Sequence, residues 1–450
     1  MRRKIYDKLI AWKKDDAGKV ALLIDGARRV GKSYIVEAFA KEQYKSYLLI
    51  DFNSAGNDIV ELFDHYLQDL DTLFMYLAGY YNVVLYERDS LIIFDEVQRC
   101  PRARAAIKYL VADGRYDYIE TGSIVSIKKN VKDIVIPSEE RKLRMNPMDF
   151  EEFLWALGNE TLMPLIRKHF VERKPLGQAV HRKAMDYLRQ YMIVGGMPQA
   201  VLEYVDSRNF NMVDRVKRDI LELYRDDIKK HANGYEMKVT AIFDEIPAQL
   251  KKIEKLFKLS TISDQARFRS YEDALFWLDD ARIINTCFSA SEPSVGLKMN
   301  MDRLTRKCYM ADTGLLISHA FDENGIVSEE IYRKLLFDKL EVNTGMIMEN
   351  LVAQMLTAAG HKLYFFSNTS RTDRSERMEI DFLITKTKIS SRHNISPIEV
   401  KSTTRYTLSS IRKFSNKYHA QLHTPYVLHT GDVKVEEGIT FLPVYMTILL

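Results

Sequence analysis

The run Gly26-Ala27-Arg28-Arg29-Val30-Gly31-Lys32-Ser33 sets two glycines, a lysine and a hydroxyl at the spacing Gly-x-x-x-x-Gly-Lys-Ser/Thr. That spacing suits polyphosphate: the glycines let the backbone curl so that successive N–H groups point inward, and a following helix adds partial positive charge. Lys32 is placed to reach the β- and γ-phosphates and the Ser33 hydroxyl to ligate a metal, so the cofactors read from the run are ATP and Mg²⁺. Arg28 and Arg29 fall in the variable part of the loop. A second run, Ser90-Leu91-Ile92-Ile93-Phe94-Asp95-Glu96, ends four apolar residues in two carboxylates. There Asp95 suits Mg²⁺ held through water, and Glu96 suits a general base that orients the attacking water. Thr121 and Ser123, around Gly122, are hydroxyls positioned to sense the γ-phosphate or the lytic water; a capped glycine turn accounts for them equally well.

A separate set of reactive residues lies in the last third. Asp381 sits in Glu379-Ile380-Asp381-Phe382-Leu383-Ile384, and Glu399 and Lys401 sit in Pro397-Ile398-Glu399-Val400-Lys401. Residues two apart in a strand share a face, so Glu399 and Lys401 point together at whatever Asp381 approaches from a neighbouring strand. Two carboxylates suit Mg²⁺ or Mn²⁺. Lys401 then positions or activates water, or balances charge on a phosphorane. Glu349, on a preceding helix, is an outer ligand candidate, which makes Glu349, Asp381 and Glu399 the expected metal set here. Residues 371–420 hold 11 Lys/Arg against 5 Asp/Glu, a local net of +6 against +4 for the whole chain. A cationic surface beside clustered acids suits a phosphodiester, so nucleic acid is the partner expected at this site.

These residues need elements to hold them. Val20–Ile24 reads as a buried strand before the glycine loop and residues 34–40 as the helix after it. Ser46–Phe52 and Tyr116–Glu120 read as further strands, and the apolar run before Asp95 suits a strand buried on both faces of a parallel sheet. Such a sheet delivers Asp95 and Glu96 at its carboxyl edge, where open α/β sheets bind ligands. Residues 3–14 form an amphipathic helix, and a helical region is expected over residues 58–77 with Gly79 as its stop. Residues 151–232 are helical by pattern. From Met237 to Ile317 three helices precede two strands around the polar turn Ser289–Gly296, with Arg306–Met310 as the return strand: a winged-helix pattern, serving DNA contact or interdomain spacing. The last third reads helix (345–359), three strands, helix (408–418), strand (425–428).

The glycine loop, Phe94-Asp95-Glu96-Val97-Gln98, Thr121-Gly122-Ser123, the segment Asn146–Phe153 and Gly195-Gly196-Met197-Pro198 together resemble a large prokaryotic family of AAA+-type ATPases. Its members carry a C-terminal domain of unknown function related to restriction-endonuclease folds. The resemblance runs along the whole chain; it implies ATP binding and a winged helix, and says little about biology. The family commonly has Gly-Arg before the Pro-x-x-Phe-x-Glu-Phe segment, where this chain has Glu139-Glu140-Arg141-Lys142-Leu143-Arg144. Arg141 or Arg144 is a candidate for a trans-acting arginine finger, the missing glycine leaving the assignment open; surface arginines beside acidic neighbours account for them equally well. The Asp, Glu-x-Lys arrangement of the last third resembles the PD-(D/E)xK nuclease superfamily.

The expected fold is α/β: a P-loop ATPase parallel sheet (1–150), a helical lid (151–235), a winged-helix segment (236–325) and a restriction-endonuclease-like α/β domain (326–450). With 450 residues the chain has length for roughly three cores. Cys100, Cys287 and Cys308 are scattered, which argues against structural zinc and for a reducing compartment. No run approaches eighteen apolar residues, so a soluble, cytoplasmic protein without membrane contact is expected. The leading functional expectation is an ATPase whose hydrolysis gates a metal-dependent nuclease; the alternative is a nucleotide-dependent switch or scaffold whose last domain binds nucleic acid or protein without cutting. Oligomeric state is left open.

Overall fold

Ala21–Asp25 (β1), Ser46–Asp51 (β2), Ser90–Asp95 (β3) and Asp117–Gly122 (β4) carry apolar residues on successive positions, and β1, β3 and β4 are buried along their whole length. Strands of that kind need cover on both faces. In the computed structural model they pair in parallel with Glu140–Arg144 (β5) in the order β2-β3-β4-β1-β5. Side-chain alternation splits the core in two. Leu23, Leu48, Ile50, Ile92 and Phe94 pack under the helices Asn57–His65 (α3), Leu70–Tyr81 (α4) and Pro101–Asp113 (α5). Leu22, Ile24, Leu91, Ile93 and Ile119 pack on the other face with Ile5–Asp15 (α1) and Lys32–Gln43 (α2). Each fully buried side chain of this size contributes roughly 1.5–3 kcal/mol.

The structure describes residues 1–122, 138–232, 234–252, 256–262, 268–294, 296–321, 329–336, 344–368, 376–385, 394–403 and 405–450. They form two compact units, Met1–Asn146 and Pro147–Leu450. Three local readings change in the first unit. The helical region over 58–77 is two helices, and Gly79 lies inside α4; the left-handed residue that stops it is Asn82, φ 52°. Arg141 and Arg144 lie on a strand, β5, paired with β1 throughout. An edge strand with one open face tolerates Glu-Arg-Lys-Leu-Arg, so no apolar run announces it.

In the second unit residues 150–231 are helical, followed by the helices Glu236–Lys251 and Phe268–Asp280; among the described residues between these two lies one 3₁₀ turn where a third helix is expected. The antiparallel hairpin Ile284–Ala290 (β6) and Met301–Met310 (β7) then forms, but not as part of a separate winged-helix domain. Strand β6 pairs in parallel with Tyr364–Asn368 (β8), and the sheet continues through Met378–Thr385 (β9), Ile395–Val400 (β10), Tyr426–His429 (β11), Ile439–Pro443 (β13) and Lys434–Glu436 (β12). Among the described residues, one eight-stranded mixed sheet therefore crosses the boundary expected at residue 325.

The glycine pair 195–196 explains why the helical region also belongs to this body. A Cβ on Gly196 would lie 2.1 Å from the Met148 carbonyl oxygen, and one on Gly314 would lie 2.5 Å from that of Val194. Asp312 caps the helix Thr313–Ala320 through the Leu315 N–H (2.9 Å) and accepts the Gly196 N–H (2.5 Å). Backbone lies on backbone here, and only glycine leaves room.

Candidate functional site

The first site grows from the ends of β1, β3 and β4. The loop leaves β1 at Asp25, Arg29 and Gly31 take left-handed conformations (φ 66° and 94°), and Lys32 opens α2. Gly26 is constrained by contact: a Cβ there would lie 2.4 Å from the Met145 carbonyl oxygen. Ala27 and Val30 are buried, and Arg28 and Arg29 point to solvent. Lys32 is itself buried, with its ammonium donating to the Gly26 and Ala27 carbonyls at 3.0 and 3.1 Å. Burial pulls its pKa down, while Glu96, Asp25 and Asp95 push it up.

Strand β4 lies between β1 and β3, so its last residues face both motifs. Ser33 Oγ donates to Asp95 Oδ1 at 2.9 Å, and the Thr121 hydroxyl donates to the same oxygen. The Glu96 N–H reaches Thr121 Oγ1 at 3.4 Å. Glu96 sits in the left-handed region at φ 53°, disfavoured for a side chain by about 1–2 kcal/mol. Its carboxylate accepts from the Gln98 amide. A serine hydroxyl and an aspartate converging beside a buried lysine fit Mg²⁺ with a bound triphosphate. Gln98 carries no role in the motif reading; its spacing from Glu96 is the signal that was there to find.

Behind Thr121 the fully buried Glu120 meets Arg104 at 3.3 Å, and Arg104 meets Glu140 at 2.8 Å. Burial pushes the Glu120 carboxyl up, and Arg104 opposes it. The two finger candidates are both on β5: Arg141 pairs with Asp16, and Arg144 is exposed at the strand's end. Ser123 lies outside the described residues.

The second site is built on β7, β9, β10 and the helix Thr344–Ala358. Glu399 and Lys401 pair at 2.8 Å, and Asp381 Oδ2 accepts the Val400 N–H at 2.8 Å from the neighbouring strand. Desolvation raises the Glu399 carboxyl to about 7 against the pull of Lys401. Glu349, on the helix, accepts from the Tyr309 hydroxyl. A residue with no assigned chemistry stands among them: Lys307 of β7, fully buried. Its ammonium lies 2.9 Å from Glu379, 3.5 Å from Glu349 and 4.0 Å from Asp381. The expected metal set of Glu349, Asp381 and Glu399 therefore does not fit a divalent ion, because a side-chain cation already lies among its oxygens. Among the described residues, no three His, Cys, Asp or Glu side chains are grouped to hold a metal.

The first unit, with this loop and these carboxylates, resembles an AAA+-type ATPase domain. Residues 19–154 match the family described as an AAA domain. Residues 185–324 and 344–447 match two domains of unknown function, DUF8612 and DUF4143. A Walker-type ATPase of Pyrococcus abyssi aligns at 15% identity over 71% of this chain and 95% of that chain, with a TM-score of 0.39. The RuvB Holliday junction branch migration motor of Thermotoga maritima aligns at 12% identity over 74% and 95%, with a TM-score of 0.28. AMPPCP-bound DnaA from Aquifex aeolicus aligns at 11% identity over 62% and 88%, with a TM-score of 0.27. At these scores the likenesses say nothing of function. No curated protein matches the chain. Among the described residues no helix is long and apolar enough to cross a membrane.

Proposed function

We propose that the chain is an ATP-hydrolysing switch: the first unit binds ATP with Mg²⁺ and hydrolyses it, and the second unit engages nucleic acid without cutting it. The observation that carries the ATPase reading is the convergence of Ser33 and Thr121 on Asp95, with Glu96 alongside. Lys32 neutralises developing phosphate charge, Ser33 and Asp95 would hold the metal ion, and Glu96 takes the proton of the attacking water. Thr121 ties the Asp95 carboxylate to the Glu96 backbone N–H. Mg²⁺, when bound, supplies charge stabilisation on the phosphates. The nucleic-acid reading rests on the +6 balance of residues 371–420. A non-cutting module is favoured over the nuclease because the carboxylates there are engaged by Lys307, Lys401 and Tyr309.

Calorimetry with ATP and a phosphate-release assay test this directly. Lys32→Ala is expected to abolish ATP binding. Glu96→Gln is expected to bind ATP and turn it over about 10²–10⁴-fold more slowly. Unchanged ATP affinity in Lys32→Ala sinks the site. Wild-type protein is expected to shift labelled DNA or RNA in anisotropy while leaving it intact with Mg²⁺ or Mn²⁺; cleavage lost in Asp381→Ala restores the nuclease.

A further inference from the structure

We infer that Lys307 is a built-in cation that fills the carboxylate cage of the second unit and leaves the cage without a divalent-ion site. The inference deepens the non-cutting reading of that unit.

Burying an ammonium costs several kcal/mol unless charges and hydrogen bonds answer it. Around Lys307 they do. Its side chain has no solvent exposure, Glu379 is in ion-pair contact at 2.9 Å, and Glu349 and Asp381 follow at 3.5 and 4.0 Å. The Phe365 ring lies 5.0 Å below the ammonium, within cation–π range. Burial alone pulls a lysine towards neutrality; here Glu379 and Asp381 more than reverse it, so the group stays charged.

Three further contacts close the alternatives. A hard divalent ion needs its oxygens at about 2.0–2.6 Å. The oxygens here surround a nitrogen instead, so an ion entering between them meets a positive charge a few ångströms away. The remaining carboxylate, Glu399, is held by Lys401 at 2.8 Å, and Asp381 spends one oxygen on the Val400 N–H. Glu349 is engaged by Tyr309 as well as by Lys307. The strand that brings Lys307 lies outside the helix-strand-strand-strand order read in the last third: it is β7 of the hairpin, joined to that region through the β6–β8 pairing.

The test replaces the ammonium by a neutral chain of similar shape. Mn²⁺ is titrated, without nucleotide, into full-length protein carrying Asp95→Asn to remove the ligand of the first unit, and free Mn²⁺ is read by electron paramagnetic resonance. This parent is expected to bind no Mn²⁺ up to millimolar concentration. Adding Lys307→Met is expected to create one site, half-filled at least tenfold below the highest Mn²⁺ concentration at which the parent stays empty, with a rise in Tm on Mn²⁺ addition. Adding Asp381→Asn to that variant is expected to remove the site, and Lys307→Arg, which restores the charge, is expected to bind none. One equivalent of Mn²⁺ bound by the parent and lost with Asp381→Asn overturns the inference, whether or not Lys307→Met folds. So does a folded Lys307→Met that binds no Mn²⁺. Because nucleotide is absent throughout, a failed ATPase assay leaves these outcomes unaffected.

Discussion

Glu399 gives the second unit an unusual pH dependence. Its carboxyl is nearly buried and sits at about 7 in the folded chain against an ordinary 4.5. Below pH 4.5 the folded and unfolded states both hold the proton, and the group contributes nothing. Between 4.5 and 7 the unfolded chain releases it and the folded chain keeps it, so stability falls as pH rises; above 7 the loss is constant. At about 1.4 kcal/mol per unit, the whole loss is about 3 kcal/mol, of which about 2.5 kcal/mol falls between pH 5 and 8. Glu399→Gln removes the titration and keeps the shape. It also removes the carboxylate that pairs with Lys401. The readout is the difference in Tm between Glu399→Gln and wild type, by calorimetry of the full chain at pH 5, 6, 7 and 8. The mutant is expected to gain on wild type by about 5 °C from pH 5 to 8, at roughly 2 °C per kcal/mol for a unit this large. A difference that is flat with pH, or that falls, refutes the linkage and with it the desolvated placement of Glu399.

Thr121→Val removes the hydroxyl shared by Asp95 and the Glu96 N–H while keeping its shape. Loss of a buried hydrogen bond costs about 1–3 kcal/mol, so ATP turnover is expected to fall roughly ten- to hundredfold, with Thr121→Ser restoring it. A wild-type rate in Thr121→Val assigns Thr121 to a glycine turn and nothing more. Gly196→Ala puts a Cβ 2.1 Å from the Met148 carbonyl oxygen, whereas Gly158→Ala meets no atom within 4 Å and suffers only its positive φ of 76°. In thermal scans Gly196→Ala is expected to cost about 3 kcal/mol and Gly158→Ala about 1 kcal/mol. Equal shifts show that the 148–196 contact is not tight.

What the sequence makes legible is what depends on neighbours in the chain. The glycine loop and the apolar run before Asp95 each carry their chemistry and their strand within a dozen residues, so spacing and element come together. The same locality misleads at β5, whose charged residues are tolerable only because β1 supplies its hydrogen bonds. It misleads again at Lys307. Two adjacent cations in Arg306-Lys307 suggest an exposed strand half, yet both are buried. The groups that make burial affordable, Glu349, Glu379 and Asp381, lie 42 to 74 residues further on. The hairpin itself is a local feature and can be read; its membership of an eight-stranded sheet is a long-range parallel pairing, which leaves no period behind.

That pairing also orders events during synthesis. The β6–β7 hairpin can close as soon as Met310 is made, but the sheet is finished only with β13, which ends at Pro443. At about 5–20 residues per second the ribosome needs roughly 7–27 s to make the intervening stretch. Until β8 emerges the outer edge of β6 has open backbone groups, an invitation to pair with another nascent chain. Over that interval Lys307 lacks Glu349, Glu379 and Asp381, the carboxylates that answer its burial in the finished sheet. A chain stopped at residue 325 would keep that ammonium and never receive the acids that allow it to be buried. Such a fragment would hold the hairpin without β8, the strand that continues its sheet.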